Sequence, residues 1–400
     1  MSAPARDRLR VALLTYSTKP RGGVVHTLAL AEGLCRAGAD VTVWSLARDG
    51  DAGFFRPVDP AVQVRLVPLP PVDGEGVGTR VLRSVAVLGE AFAEDADRYD
   101  VVHAEDCISA NAALSARRDV VRTVHHLDRF TTPELVACHE KALREPVVHV
   151  CVSASVAGEL DAGYDLCPEV IVNGVEAVRF AAAAADDPVA VANRTRWSDR
   201  FGPYVLSVGG IEPRKGTLDL VEAMARLRDR GHELPLLIAG GETVFDYREY
   251  RSAVGRRAAE LDIRPVVLGP VPHEDLPSLV AGASVFAFPS RQEGFGLAAM
   301  EALAAGVPLV ARDLPVLREI FGGVAALATD PDGFADAMAA GLEAAADDPA
   351  TLARVDAGRF LAATHSWDRA AEAHLSLYER RLADGTLGAR PLARAREDAR

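Results

Sequence analysis

From residue 10 onward the chain alternates short β-branched apolar runs with longer stretches whose apolar positions recur every three or four residues. RVALLTY (10–16), DVTVWSL (40–46), VQVRLVPL (62–69), YDVVHAE (99–105), DVVRTVHH (119–126) and VVHVCVSAS (147–155) have the continuous apolar character of strands buried on both faces of a parallel sheet. Amphipathic stretches such as VHTLALAEGLCRAG separate most of them, which predicts a doubly wound α/β domain. A second series of the same kind runs through YVLSVGG, PLLIAGG, PVVLGPV, SVFAFPS, VPLVARD and VAALATD. Between the two series, AAAAADDPVAVANRTRWSDR (181–200) has no strand pattern and a composition suited to a linker. The pattern therefore predicts an N-terminal Rossmann-like domain over 1–185, a linker at 186–202 and a second Rossmann-like domain over 203–365. A closing amphipathic helix is expected at 366–385 and a loose, apolar-poor tail at 386–400.

Composition narrows the function. The 400 residues carry 44 basic and 57 acidic side chains, a net charge of −13, with no long basic run, which argues against a nucleic-acid partner and a polybasic membrane anchor. No apolar run reaches the length of a membrane span and the first residues lack a signal-peptide core, so the expectation is a cytoplasmic protein. The five cysteines (Cys35, Cys107, Cys138, Cys151, Cys167) are scattered without metal-ligand spacing, as expected of reduced packing residues. The lysines are Lys19, Lys141 and Lys215, and two of these stand in glycine-containing loops.

Ligands of open parallel sheets sit at the carboxyl ends of the strands, so chemistry is sought in the loops there. After the first strand, Gly22-Gly23 opens a helix, where adjacent glycines let backbone amides approach an anion; a ligand-free Gly-Gly turn is the alternative. The arrangement is not GxGxxG, and the second strand ends in Trp44-Ser45-Leu46 instead of a ribose-binding acid, which disfavours a dinucleotide site. In the second half, Arg214 and Lys215 stand ahead of a helix with Thr217 as the expected N-cap, either a diphosphate clamp or a solvated loop.

The stretch SRQEGFGLAAMEALAAG holds the sharpest signal. Gly294 and Gly296 permit a tight turn into a helix starting near Gly296, whose first amides form a second anion site. Glu293 precedes that helix and Glu301 lies on its second turn in an almost wholly apolar segment with no basic residue at helical spacing. A carboxylate there suits paired hydroxyls such as those of a ribose; the bland alternative is a helix-start acid and a glutamate reaching solvent. Strand five of the first half ends in His125-His126, of which only one imidazole can face the strand-end site. His103 is a weaker candidate, and Cys138-His139-Glu140 reads as surface and core by turns, not as a metal site.

In order along residues 10–382, PRGGVVHTLALAEGL, YDVVHAED, TVHH, VIVNGVEAVRF, VGGIEPRKGTLDLVEAM, LGPVPHEDLPSLVAGASVFAFPS, EGFGLAAMEALAAGVPLVA and the terminal SW…LYERRL resemble the retaining glycosyltransferases of family four. The Glu-x7-Glu pair alone is weak, but the ordered set is specific. The resemblance implies a GT-B fold: two Rossmann-like domains facing across a cleft, with the C-terminal helix crossing back to the first. It implies a hexosyltransferase that takes a nucleotide-diphosphate-sugar as donor and a small-molecule, glycan or lipid hydroxyl as acceptor, keeps the anomeric configuration and needs no metal. Peripheral membrane contact is compatible with it. Carried over residue by residue, it gives Glu301 the ribose, Glu293 the donor sugar, Lys215 the diphosphate, and the amides of Gly294, Phe295, Gly296 and Leu297 the diphosphate or sugar. Gly23, beside Gly22, would lie against the diphosphate, His125 would contact the donor sugar, and Asn173 and Gly174 would shape the crossing to the second half.

Two positions depart from the family. Gly210 stands where an arginine usually follows the glycine turn, which leaves Arg214 to compensate or the donor more weakly gripped. Glu105 stands where a second histidine is common, and either serves an acceptor or faces solvent. Glu293 as nucleophile and a front-face displacement guided by the departing phosphate are equally consistent with these residues. The rival readings are a nucleotide-sugar epimerase of the same architecture, a dinucleotide oxidoreductase, and a non-catalytic nucleotide-sugar-binding protein. Base selectivity is expected in the loop GGETVF (240–245).

Overall fold

The computed structural model describes residues 8–48, 50–128, 130–240, 247–344 and 347–388. Residues 241–245 of the expected base-selecting loop and the tail from 389 lie outside the described residues. The chain divides into two compact units: the first runs to Gly174 and resumes at Trp367, and the second is Val175–Ser366.

In the first unit the strands are β1 (Arg10–Thr15), β2 (Asp40–Arg48), β3 (Gln63–Leu69), β4 (Val101–Ala104), β5 (Val120–Val124), β6 (Val148–Cys151) and β7 (Glu169–Val170). They form one parallel sheet in the order β3-β2-β1-β4-β5-β6-β7. The helices are α1 (Gly22–Arg36), α2 (Val77–Ala93), α3 (Cys107–Ser115), α4 (Pro133–Arg144) and α5 (Ala154–Tyr164). The second unit has β8 (Val205–Val208), β9 (Leu236–Ala239), β10 (Val266–Gly269), β11 (Val285–Phe288), β12 (Leu309–Arg312) and β13 (Ala326–Ala328), parallel in the order β10-β9-β8-β11-β12-β13. Its helices are α6 (Ala177–Ala183), α7 (Pro188–Phe201), α8 (Thr217–Asp229), α9 (Arg248–Glu260), α10 (Leu276–Ala281), α11 (Leu297–Ala304), α12 (Pro315–Phe321), α13 (Pro331–Glu343) and α14 (Pro349–Thr364). The last helix, α15 (Trp367–Ala383), returns to the first unit.

The middle strands of each sheet are covered on both faces: Val11 to Leu14 of β1 and Val285 to Ala287 of β11 are wholly buried. Strand order reverses between β1 and β4 and between β8 and β11, so each sheet has one crevice where outgoing loops diverge, the usual place for a ligand. The return of α15 follows from its buried stripe Trp367, Ala370, Ala371, His374, Leu377 and Tyr378, spaced for one helical face. It packs on α1 at Gly33, where a Cβ would lie 2.9 Å from the Trp367 carbonyl and 3.0 Å from Ala371 Cβ.

The expected organisation differs in two places. The boundary at 185 falls inside the second unit, because α6 belongs with it. The stretch expected as a linker holds α7, started by Asp187, whose carboxylate accepts from the amides of Val189 and Ala190 (both 3.0 Å), and by Pro188 in the first turn. Trp197 ties α7 down through its indole N–H to Ser278 (3.0 Å). Ala-rich composition without a clear apolar stripe hid a helix whose cap was in plain view.

Candidate functional site

In the second unit, the loops after β8 and β11 meet at the reversal of strand order. A 3-10 turn, Pro213–Lys215, leads into α8. The cap position is Gly216, not the expected Thr217: Gly216 takes a left-handed conformation (φ 66°) and Thr217 is already helical and buried. Gly216 is also pressed against the Pro289 carbonyl so closely that a Cβ has no room. Gly216→Ala is therefore expected to destabilise the protein by more than about 1 kcal/mol, from the left-handed backbone and the clash together, read as a lowered denaturant midpoint at unchanged slope.

This approach brings the two loops into register. The Arg291 amide donates to the Arg214 carbonyl (2.7 Å). Asp219 in the first turn of α8 accepts two bonds from Arg291 (2.6 and 3.0 Å) and one from the Arg312 guanidinium, which also donates to the carbonyls of Pro289 and Thr329 (both 2.9 Å). The result is that Lys215 and Glu293, 78 positions apart, form an ion pair. Ser290 Oγ donates to the same Glu293 carboxylate (3.1 Å) and Arg214 Nη1 lies 3.8 Å from it, while Arg214 Nε donates to Glu212 (3.2 Å). Lys215 Nζ also stands 5.4 Å from the centre of the Phe288 ring. Burial lowers the lysine pKa, with Glu293 opposing and Arg214 reinforcing that shift.

The sequence places the turn at 294–296 and the structure gives the reason. Gly296 has φ 98°, and a Cβ there would lie 2.9 Å from the Phe321 ring and 3.3 Å from Phe288. Phe295 is buried with its ring 5.7 Å from that of His365. Gly296 caps α11 without a side-chain bond, so the first amides of α11, from Leu297, are left for another acceptor. Glu301 lies one turn further on. No side chain among the described residues hydrogen-bonds its carboxyl group, and burial raises its pKa to about 8, with Glu176 raising it further and Arg179 opposing. Those two neighbours at the start of α6 were missed, although the stretch VNGVEAVRF shows them at helical spacing; Arg179 donates to Glu176 (2.9 Å) and to the His273 carbonyl.

The first unit gathers imidazoles at the ends of β4 and β5. His125 lies beside Gly23, where a Cβ would stand 3.6 Å from His125 Nε2. His125 Nε2 bonds Glu105 Oε2 (3.1 Å), and His126 turns away to bond Asp128 (3.0 Å). Glu105 neither faces solvent nor an open acceptor space: it is 2% exposed, with His26 Nε2 at 3.5 Å and His103 Nε2 at 3.8 Å. The sequence could not show this because His26 reads as one more buried position of an amphipathic helix. Asn173 holds His26 through Nδ1 (2.9 Å), and the rings of His26 and His125 meet edge to face at 4.8 Å. His103 is a structural residue, bonded to Tyr378 (2.5 Å) and Thr123 (2.6 Å). Burial lowers the pKa of His26 and His125 to about 3 and raises that of Glu105, so the cluster is built from neutral imidazoles around a carboxyl group. Ligand atoms of His26, Glu105 and His125 all lie within 4.8 Å of one another, a donor set of the kind that transition metals use. Cys138 and His139 are buried within α4, and Glu140 bonds Tyr164 (2.9 Å) and Arg144 (3.2 Å) outside them. All five cysteines are unpaired.

Comparison with known proteins fits this geometry. Residues 198–376 match the model of glycosyl transferases group 1 and residues 20–179 that of Glycosyltransferase Family 4. The D-inositol 3-phosphate glycosyltransferase of Xylanimonas cellulosilytica is 30% identical over 412 residues, covering 92% of this chain and 96% of the relative. That of Salinispora arenicola is 29% identical over 417 residues, with 92% and 91% covered. Among solved structures, Anabaena HepE in complex with UDP and glucose superposes with a TM-score of 0.72 at 18% identity, over 93% of this chain and all of that one. The chain is a glycosyltransferase of family four, with the GT-B fold.

Proposed function

We propose that the protein transfers a hexosyl group from a nucleotide-diphosphate-sugar to an acceptor hydroxyl with retention of anomeric configuration. The observation that carries this reading is the meeting of Lys215, Arg214, Glu293 and the uncapped start of α11 at one strand-end crevice, with the Glu301 carboxyl group, hydrogen-bonded by no side chain among the described residues, one turn away. Solved structures of Anabaena HepE hold UDP and UDP-glucose, which supports a donor of that class.

In this reading the cations and the α11 amides take up the charge that develops on the departing phosphate. Arg214 stands in for the arginine absent at Gly210. Glu301 accepts from the ribose hydroxyls. Gly22 and Gly23 let the α1 amides approach the diphosphate, and His125 orients the donor sugar. Glu293 is engaged by Lys215, Arg214 and Ser290, which favours a role in positioning the sugar over one as free nucleophile. The positive charge comes from side chains and backbone, so transfer is metal-independent and survives a chelator; activity lost with EDTA and restored by a divalent ion would remove that part of the reading. Five unpaired cysteines fit a reducing compartment, and we place the protein in the cytoplasm.

A panel of nucleotide-sugars read by thermal shift tests the donor assignment, because a bound donor stabilises the fold by mass action. One nucleotide-sugar is expected to raise the melting temperature clearly above the others and above buffer. A flat response across the panel, or release of nucleotide at full rate with no acceptor consumed, would turn the reading away from transfer. His125→Ala is expected to slow transfer by about tenfold or more while nucleoside diphosphate binding holds, since the lost contact is to the sugar. His126→Ala, which loses the Asp128 contact, is expected to change melting temperature with near-normal turnover. The reverse pattern would show that the wrong imidazole has been assigned.

A further inference from the structure

The carboxyl ends of β1, β4 and β5 bring three metal-ligating side chains of the first unit to one point. His26 stands one turn into α1, Glu105 at the exit of β4 and His125 at the exit of β5. Glu105 Oε2 lies 3.1 Å from His125 Nε2 and 3.5 Å from His26 Nε2, and one ligand atom from each of the three lies within 4.8 Å of the others. Zinc bonds to imidazole nitrogen and carboxylate oxygen are about 2.0–2.2 Å long, so tetrahedral ligand atoms stand about 3.3–3.5 Å apart. Both distances to Glu105 fall close to that spacing.

The tautomer of His26 suits a ligand. Its Nδ1–H donates to Asn173 Oδ1 (2.9 Å), which puts a lone pair and not a proton on Nε2. That Nε2 is buried with no hydrogen-bond partner, and so is Glu105 Oε1. The His26 lone pair and the Glu105 carboxyl group therefore face each other at 3.5 Å out of water, which is unfavourable unless something positive comes between them. At that distance a shared proton makes a poor bond, whereas an ion with two bonds of about 2 Å spans it.

The surroundings hold the set in place. The Glu105 amide donates to the Leu14 carbonyl (3.0 Å), and the His26 ring meets that of Trp367 edge to face at 5.2 Å. His103 stays outside the set, both its nitrogens being taken by Tyr378 and Thr123. The side chains of His26 and Glu105 are 1% and 0% exposed, but that of His125 is 17% exposed. Gly23 puts no Cβ beside His125 Nε2, so an ion and its fourth ligand have an approach from that side.

We propose that His26, Glu105 and His125 form a zinc site, with Asn173 orienting His26, and that zinc held there inhibits transfer. Three coordinate bonds form, and the proton of the His125–Glu105 hydrogen bond leaves to solvent. The inhibitory role rests on the transfer reading above: His125 Nε2 ligates the ion, and the imidazole no longer orients the donor sugar. Transfer itself still needs no metal. Mg²⁺ does not fit, because it demands oxygen ligands in octahedral array.

Titration of zinc chloride into full-length protein, stripped with EDTA and moved to chelator-free buffer, tests the site. One Zn²⁺ is expected to bind per chain, with no binding of Mg²⁺. His26→Gln and Glu105→Gln are each expected to weaken zinc binding by about 100-fold or more and Asn173→Ala by about tenfold, whereas His126→Ala keeps it. Co²⁺ gives a readout in wild type that depends on no substitution: the visible bands of a four-coordinate ion are expected, without thiolate charge-transfer bands. Absence of zinc binding in wild type, equal affinity in the folded variants, an octahedral cobalt spectrum or thiolate bands overturns the site. With a donor in hand, zinc is expected to lower transfer by at least about tenfold over the range in which it binds, and EDTA to restore it. The transfer that remains in Glu105→Gln is expected to ignore zinc. Transfer unchanged at saturating zinc overturns the inhibitory role. If wild type binds zinc as expected but moves sugar from no donor, the transfer reading falls and the metal site stands.

Discussion

Lys215→Ala is expected to lower kcat by roughly 10²–10³-fold, the scale for removing one preorganised group that meets charge as it develops. The lysine is held at its post by Glu293 and by the Phe288 ring, and by a turn whose position depends on Gly216 lying against the Pro289 carbonyl. It is thus fixed in place before the donor arrives, and little reorganisation is needed at the moment of bond cleavage. Removing it leaves Glu293 with Ser290 and Arg214, so the fold is expected to hold. Arg214→Ala is expected to be milder, because that side chain divides its charge between Glu212 and Glu293. Turnover of Lys215→Ala within about threefold of wild type, in a protein with wild-type melting behaviour, would show that this lysine does not meet the leaving phosphate.

Glu301→Ala is expected to weaken nucleotide binding by about 2–4 kcal/mol, roughly 30- to 1000-fold, as two charge-assisted hydrogen bonds to ribose hydroxyls are lost. The effect carries a pH signature. In the free protein the carboxyl group titrates at about 8, so at neutral pH it is mostly protonated and a poorer acceptor for two hydroxyls. UDP affinity is therefore expected to rise with pH up to about 8 and then level off, by close to tenfold per pH unit on the acid side if the anion alone binds. Glu301→Gln is expected to flatten that profile.

Stability moves the other way. A carboxyl group whose folded pKa lies above its unfolded value keeps more protons folded than unfolded, so its contribution to stability falls as pH rises from the ordinary glutamate range to about 8. Glu301→Gln is expected to raise the melting temperature at pH 8 and above relative to wild type, with no gain near pH 4. An affinity profile identical in wild type and Glu301→Gln would detach this residue from the ribose.

The central strands were legible because they are buried on both faces and therefore read as unbroken apolar runs: RVALLTY contains β1 and SVFAFPS contains β11, each to within a residue or two. The two-residue β7 has no run to recognise, and α7 has a cap but no apolar stripe. The pairing of Lys215 with the Glu293 loop could be expected only through the family resemblance, since nothing in the spacing of 215 and 293 says that their loops adjoin.

Other features needed three dimensions. Gly216 displaced Thr217 as cap because the close approach to Pro289 is a tertiary contact. His26 was invisible as chemistry, because a histidine on a buried helical face looks like packing until Glu105 is found beside it.

Transfer of a sugar from nucleotide to acceptor hydroxyl with retention is expected at the two-loop site. It is tested most directly by following one reaction mixture by NMR, with the stabilising nucleotide-sugar and a panel of hydroxyl acceptors, and repeating it with Lys215→Ala. One nucleoside diphosphate is expected to be released per sugar transferred, with a product whose anomeric coupling matches that of the donor and near-complete loss with the variant. An inverted product, or nucleotide released with the sugar passed only to water, would contradict it.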